Sequence, residues 1–307
     1  MDRQIHATAR EASRRAYGRA PGPRVPRAPA CGTRGVRRAR ARAAARTARV
    51  RAVVLAAGFG TRLGALGRAR PKALLDVGGR PALEFAVAAA EALPEIDAVD
   101  VVTNARFHAD FAAWRDARRG GKPVRLWNDG ACDPESRLGA VGDLAHWLAR
   151  ARPEGRAEPA LVLAADNVFD FALAPLAARA RAEPAVVLFD VGSAERVSRL
   201  ASVELGPGER VVRFVEKDPA PRTTLACTAL YGLPPATLAD VPRYLGEGGA
   251  PDNLGFFVEW LHRRRPVRGL RLAGRWADIG TPEDYARARE LFGAVSARAP
   301  AARATPR

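Results

Sequence analysis

The chain has 307 residues and a formal net charge of +17, with 48% hydrophobic residues. Its three cysteines, Cys31, Cys132 and Cys227, are scattered and odd in number, which argues against a disulfide framework or a paired metal site, and no apolar run reaches the roughly 18–20 residues of a membrane span. The charge sits at the ends: residues 1–51 hold 15 Arg and two acids, residues 295–307 hold three Arg and no acid, and the stretch between is near +1. A nucleic-acid-binding domain carries its basic patch on the fold itself, so no specific nucleic-acid partner is expected.

Residues 1–50 are rich in Arg, Ala and Pro and poor in large apolar residues. Such a segment cannot bury enough surface to offset its chain entropy and is expected to be a disordered tail, as is 295–307. It lacks the apolar core of a secretory signal. Met1 is the only methionine, so a start at Val50 is a second reading. A reduced, cytoplasmic compartment and no membrane partner are expected. Deleting the tail is expected to leave folding and turnover intact.

From residue 52 onward, apolar runs alternate with amphipathic stretches. Strands are predicted at 52–57, 99–103, 124–127, 160–164 and 185–190. Helices are predicted at 81–92, 107–118, 139–150 and 171–182. This alternation predicts an α/β fold: a Rossmann-like, mostly parallel sheet flanked by helices, with ligands beyond the carboxyl ends of the strands. Short strands at 203–205, 211–215 and 226–232 then predict a small β insertion. Helices at 236–245 and 253–264 and a strand at 267–272 follow. A last helix opens at Thr281-Pro282, with Glu283 and Asp284 in its first turn. One domain over 51–294 accounts for the whole pattern.

The first strand runs into Leu55-Ala56-Ala57-Gly58-Phe59-Gly60-Thr61-Arg62-Leu63, and Pro71-Lys72 follows a short basic stretch. Glycines let a backbone turn sharply and approach a ligand, and successive amides make a concave anion site. Arg62 and Lys72 add two cations, so the loop suits a polyphosphate. It is not a P-loop, and Gly64 stands one place too late for a dinucleotide fingerprint, so a nicotinamide enzyme is excluded. Only three lysines, at 72, 122 and 217, stand against 47 arginines. In a chain whose composition reads as coding bias toward G and C, Lys72 and Lys217 mark places where a compact point charge differs from a planar fork.

Three further places carry candidate chemistry. An apolar strand ends in Asp166-Asn167, which turn chemistry alone would also explain. Asp278 lies in Trp276-Ala277-Asp278-Ile279-Gly280, ahead of the last helix, and Glu216-Lys217 closes a short strand.

The run from Leu55 to Leu75 closely resembles the signature of the sugar-phosphate nucleotidyltransferases, which make nucleotide sugars. The resemblance extends over roughly 52–292 with the motifs in order, and Pro251 to Phe257 resembles the glucose-1-phosphate thymidylyltransferase-like branch. It implies a reaction of an NTP with a sugar 1-phosphate to give an NDP-sugar and pyrophosphate. It implies that Ala56, Ala57, Gly58, Gly60 and Thr61 bind the nucleotide, with Leu138 and Gly139 against its base. Arg62, Lys72 and Asp166 would be catalytic, and Asp166 and Asp278 would hold Mg²⁺. Glu216 and Lys217 would hold the sugar phosphate. Ala165 stands where many members have Gly, Asp218 interrupts the usual Glu-Lys-Pro, and Asp143 replaces a small residue. Transfer to a non-sugar phosphate, such as an alditol or choline phosphate, and a catalytically silent nucleotide-sugar-binding regulator are the alternatives. Self-association, the base and the sugar are not read from the sequence.

Overall fold

The computed structural model describes residues 49–151 and 158–293, so the expected tails lie almost wholly outside the described residues. The fold begins slightly earlier than expected. Val50 is buried and donates to the Glu95 carbonyl, and Arg49 pairs with Asp97 at 2.9 Å. The neutral truncation is therefore one that starts at Arg49. An unchanged melting temperature and turnover are expected for it, and a large loss of either would overturn the dispensable tail.

Thirteen strands occur among the described residues: β1 (Arg51–Leu55), β2 (Asp76–Val77), β3 (Arg80–Pro81), β4 (Val99–Thr103), β5 (Val124–Asn128), β6 (Ala160–Ala164), β7 (Asn167–Phe169), β8 (Ala185–Asp190), β9 (Ala201–Leu205), β10 (Val211–Glu216), β11 (Leu225–Leu233), β12 (Arg268–Arg271) and β13 (Trp276–Asp278). The main helices are α1 (Leu83–Glu91), α2 (His108–Ala117), α3 (Gly139–Ala151), α4 (Ala174–Arg179), α5 (Leu254–His262) and α6 (Pro282–Gly293). Nine strands form one sheet with the path β10-β9-β11-β6-β1-β4-β5, and β8 and β12 extend it from β11. The β1, β4, β5 and β6 ladders are parallel; β11 runs against β6, β8 and β9.

Alternate residues of β1 feed two cores. Ala52 and Val54 join one apolar cluster with α1, and Val53 joins another with Val141, Leu144 and Trp147 of α3. A strand covered on both faces reads as a continuous apolar run, which is why β1 and β6 were legible. Asp100 in β4 breaks that rule. It is fully buried and takes Arg51 at 2.5 Å, Arg125 at 2.9 Å and the indole N–H groups of Trp127 and Trp147 at 3.1 Å. A buried charge persists only when satisfied in this way.

The predicted elements otherwise shift by a few residues, with two differences of substance. The predicted helix 236–245 is two short helices, Pro235–Leu238 and Asp240–Gly246. Short β7 and β13, not predicted, pair antiparallel with Asp278 opposite Asn167. Thr281 caps α6, its hydroxyl accepting from the Asp284 amide while the Asp284 carboxylate accepts from the Thr281 amide.

The sheet forks at β11. Ala226 and Cys227 pair with β8 on one edge and β9 on the other, whereas Tyr231 and Gly232 pair with β8 and β6. Between them Ala229 adopts φ +55, where a non-glycine residue is uncommon. This bulge transfers the β11 edge from β6 to β9 and opens the sheet beside the end of β6.

Candidate active site

A cleft of about 450 Å³ lies over this fork and the carboxyl ends of the parallel strands. It runs from Asp129, beyond β5, past the loop after β1 and Asp166, beyond β6, to Glu216 and Lys217 at the end of β10. Of the residues singled out from sequence, Ala57, Gly58, Arg62, Lys72, Leu138, Gly139, Asp166, Glu216, Lys217 and Asp278 line it. Three others do not. Ala56 is buried and its amide continues the ladder to the Val102 carbonyl. Gly60 and Thr61 turn away at the start of a short 3-10 turn, with Thr61 exposed. Their contribution is to the shape of the loop: Gly60 takes φ +64, a left-handed conformation that glycine adopts without strain.

The loop after β1 is held from behind. Buried Asn104 donates to the Ala57 carbonyl at 2.8 Å and accepts from the Phe107 amide. The amides of Gly58, Phe59 and Gly60 donate to no described residue. Arg62 has no ion-pair partner among the described residues. Unpaired amides and a cation at one loop form an anion-binding concavity.

Lys72 reaches across this loop to Asp166 at 2.5 Å. Burial opposes ionisation of Asp166, but the Lys72 ammonium outweighs it and holds the carboxyl below its ordinary value. Asn167 donates to Asp166 at 3.0 Å and accepts from the Trp276 indole at 2.6 Å. That chain of contacts, with the Asp166 carbonyl accepting from the Ile279 amide, brings Asp278 beside Asp166. Asp278 is pushed up to about 6 by burial, then by Asp166 and Asp284. Two carboxylates face one cleft with one ammonium between them. This donor set is one that Mg²⁺ would fit, since Mg²⁺ takes a few carboxylates and completes its shell with phosphate oxygens and water.

The other end of the cleft is built by the β insertion. Lys217 takes φ +52, a strained conformation for a lysine. The next residue pins it. Asp218 is buried, bonded to Arg213 at 2.7 Å and to the Ser202 hydroxyl at 2.6 Å, and the Arg213 bond first among its contacts brings its carboxyl down to about 2. Asp218 is thus an anchor of the loop. Arg199, not foreseen from sequence, lines the cleft beside Lys217. Glu216 accepts from Asn253 at 2.5 Å, and a side chain at Gly255 would collide with its carboxylate.

Burial, with a smaller contribution from Glu259 and against Lys217, pushes Glu216 up to about 7 from an ordinary 4.5. A raised carboxyl gives the fold stability that is full below the ordinary value and is lost as pH rises through about 7. Glu216→Gln should therefore melt a few degrees above the parent at pH 8, and the two should converge near pH 4.5. A gap that did not change with pH would show that ionisation is not the cost.

At the opposite end, Asp129 and Asp143 were not proposed as site residues. Asp143 is 5% exposed and is pushed up to about 8 by burial and by Asp129, with which it shares a hydrogen bond. An acid beside the apolar stripe Val141, Leu144 and Trp147 was the available signal. In the first turn of α3 the amides of Ala140 and Val141 are taken by the Asp252 and Pro251 carbonyls.

Among the described residues no helix is long and apolar enough to cross a membrane. Residues 51–293 match the family model described as nucleotidyl transferase. The chain is 30% identical over 274 residues to valienol-1-phosphate guanylyltransferase of Streptomyces hygroscopicus subsp. limoneus, covering 78% of this chain and 70% of that protein. A shorter stretch of 96 residues is 43% identical to 2-C-methyl-D-erythritol 4-phosphate cytidylyltransferase of Thermobifida fusca, covering 31% and 37%. Two plant relatives, from rice and Arabidopsis thaliana, are longer, and the chain spans 64% and 65% of them. In fold, it superposes on a UDP-glucose pyrophosphorylase complexed with UDP-glucose with a TM-score of 0.66 at 18% identity, covering 80% of this chain and 98% of the other. With the family match spanning residues 51–293, the chain belongs to the nucleotidyl transferase family, among the sugar-phosphate nucleotidyltransferases.

Proposed function

We propose that this chain transfers a nucleotidyl group from an NTP to a sugar 1-phosphate, giving an NDP-sugar and pyrophosphate. The observation that carries the reading is the order of groups along one cleft: open loop amides with Arg62, then Lys72, Asp166 and Asp278, then Lys217 and Glu216. Two anionic substrates can lie end to end on it with their reacting phosphates meeting near Asp166.

The acceptor phosphate oxygen attacks the α-phosphorus in line, and pyrophosphate leaves from the opposite side. No protein nucleophile is required; positioning and charge neutralisation supply the rate. The loop amides and Arg62 hold the leaving phosphates. Lys72 exchanges Asp166 for phosphate oxygen as the substrate enters. Lys217 and Arg199 hold the acceptor phosphate, and Glu216 accepts from a hydroxyl of the sugar. Asp166 and Asp278 would hold Mg²⁺, which when bound neutralises charge on the α-phosphate.

A second reading, transfer to an alditol phosphate, draws on the stretch shared with the Thermobifida cytidylyltransferase. Pyrophosphate release should be measured over four NTPs against several sugar 1-phosphates, with an alditol phosphate beside them. Release with at least one sugar 1-phosphate is expected. Release only with the alditol phosphate would favour the second reading, and none with any pair would refute both.

A further inference from the structure

We propose that Asp129 and Asp143 read the nucleobase of the donor, selecting an edge that presents a ring N–H beside an exocyclic amino group, as guanine does, over uracil and thymine. The proposal rests on the nucleotidyl-transfer reading.

Position comes first. The phosphate-binding loop follows β1, in the middle of the cleft. The β10 end carries Lys217 and Arg199, suited to a second phosphate. The nucleoside of the donor must then extend the other way, toward the end of β5, where Asp129 and Asp143 stand. Carboxyl groups repel phosphate, so this end faces a part of the ligand that carries N–H or O–H donors.

The hydrogen-bond inventory narrows the choice. Asp143 is almost wholly buried on the cleft wall, and its Oδ1 has no partner. A buried, unsatisfied oxygen is costly, and such groups in native structures call for an explanation. Two carboxyls in hydrogen-bond contact hold a proton between them rather than both ionising, and the Asp129 Oδ1 also accepts from the Ala131 amide. What remains to a ligand is acceptors. Of the neighbouring donors on the cleft wall, the Ala140 and Val141 amides are committed to the 251–252 loop and Arg137 to Asp252 and the Pro134 carbonyl, while His146 beside Asp129, whose buried Nε2 has no partner, does not line the cleft. Guanine offers N1–H and the 2-amino group side by side to such a pair of acceptors. Uracil and thymine offer one N–H between two carbonyl oxygens, which would meet the carboxyl oxygens with like polarity. Discrimination follows because an unpaired buried acceptor penalises the wrong base.

The test is calorimetric binding of GTP, ITP, UTP and dGTP to the full chain with Mg²⁺ and no acceptor. ITP lacks only the 2-amino group, and dGTP only the ribose 2′-hydroxyl. GTP should bind at least about tenfold more tightly than ITP or UTP, and dGTP should match GTP. Asp143→Ala and Asp129→Ala should each bring GTP and ITP within about threefold. Asp129 is less buried, so its variant keeps the test alive if Asp143→Ala does not fold. ITP or UTP binding as tightly as GTP, or a GTP/ITP ratio unchanged in both variants, would overturn the proposal. So would a loss with dGTP as large as that with ITP, which would mean the pair holds the ribose. Selective GTP binding without pyrophosphate release from any acceptor would uphold the base reading and refute the transfer reading. No nucleotide binding at all would refute both.

Discussion

Asp166→Asn and Asp278→Asn are each expected to lower kcat by at least about a hundredfold, the scale on which removing one transition-state charge contact acts. The two variants should differ in stability. Asp166 is held ionised by Lys72, so its replacement removes a favourable ion pair from a partly exposed position. Asp278 is held above its ordinary value by burial and by Asp166, so its charge opposes folding once pH passes about 6. By the same linkage, stability is full below the ordinary 3.8 and falls as pH rises through about 6. Asp278→Asn should therefore melt above the parent at pH 8 while being almost inactive, and the melting gap should close toward pH 4. Mg²⁺ with nucleotide should raise the parent's melting temperature, as any ligand of the folded state does, and should do so less in either variant. Near-normal turnover in either variant would remove the two-carboxylate assignment, whatever the melting curves show.

The second large effect concerns the rare lysines. Lys72→Arg should mainly lower kcat, and Lys217→Arg should mainly raise KM for the acceptor, each by about a hundredfold at most. The structure supplies the reasons. The Lys72 stem packs against Gly58, with its Cε 3.4 Å from where a Cβ there would sit, which leaves little room for a planar guanidinium. Lys217 stands on a strained φ of +52, braced by Asp218, so its ammonium has a defined origin that a longer fork would overshoot. Lys122 is the control. It stands in Gly121-Lys122-Pro123, a loop with no phosphate signature, where its ammonium donates to the Leu93 carbonyl just past α1 and its amide donates to Glu91. Lys122→Arg should leave kinetics unchanged and shift stability slightly. Equal, mild kinetic effects at 72, 122 and 217 would mean that the lysines carry no phosphate chemistry.

The glycine-rich loop and Asp166 were legible because each lies just beyond a strand whose apolar run is unmistakable, and Lys72 because lysine is rare in this chain. The position of Asp278 was legible as a motif, but its approach to Asp166 depends on β7 and β13, three-residue strands with no pattern of their own. Asp218 looked like an interruption because its partners, Arg213 and Ser202, meet it only when β9 and β10 pair. Gly60 and Thr61 were grouped with the ligand-binding residues because sequence spacing cannot tell a residue that shapes a loop from one that faces the ligand.

The sequence by itself determined the alternation of strands and helices, the parallel half of the sheet and the loop that suits phosphate. These depend on periodicity and local backbone chemistry, which act over a few residues. Only the tertiary structure decided the fork at Ala229, the pairing of Asp166 with Lys72, and the meeting of Asp129 with Asp143. Those are contacts between segments far apart in the chain, whose charges shift one another only once burial has removed the water that screens them.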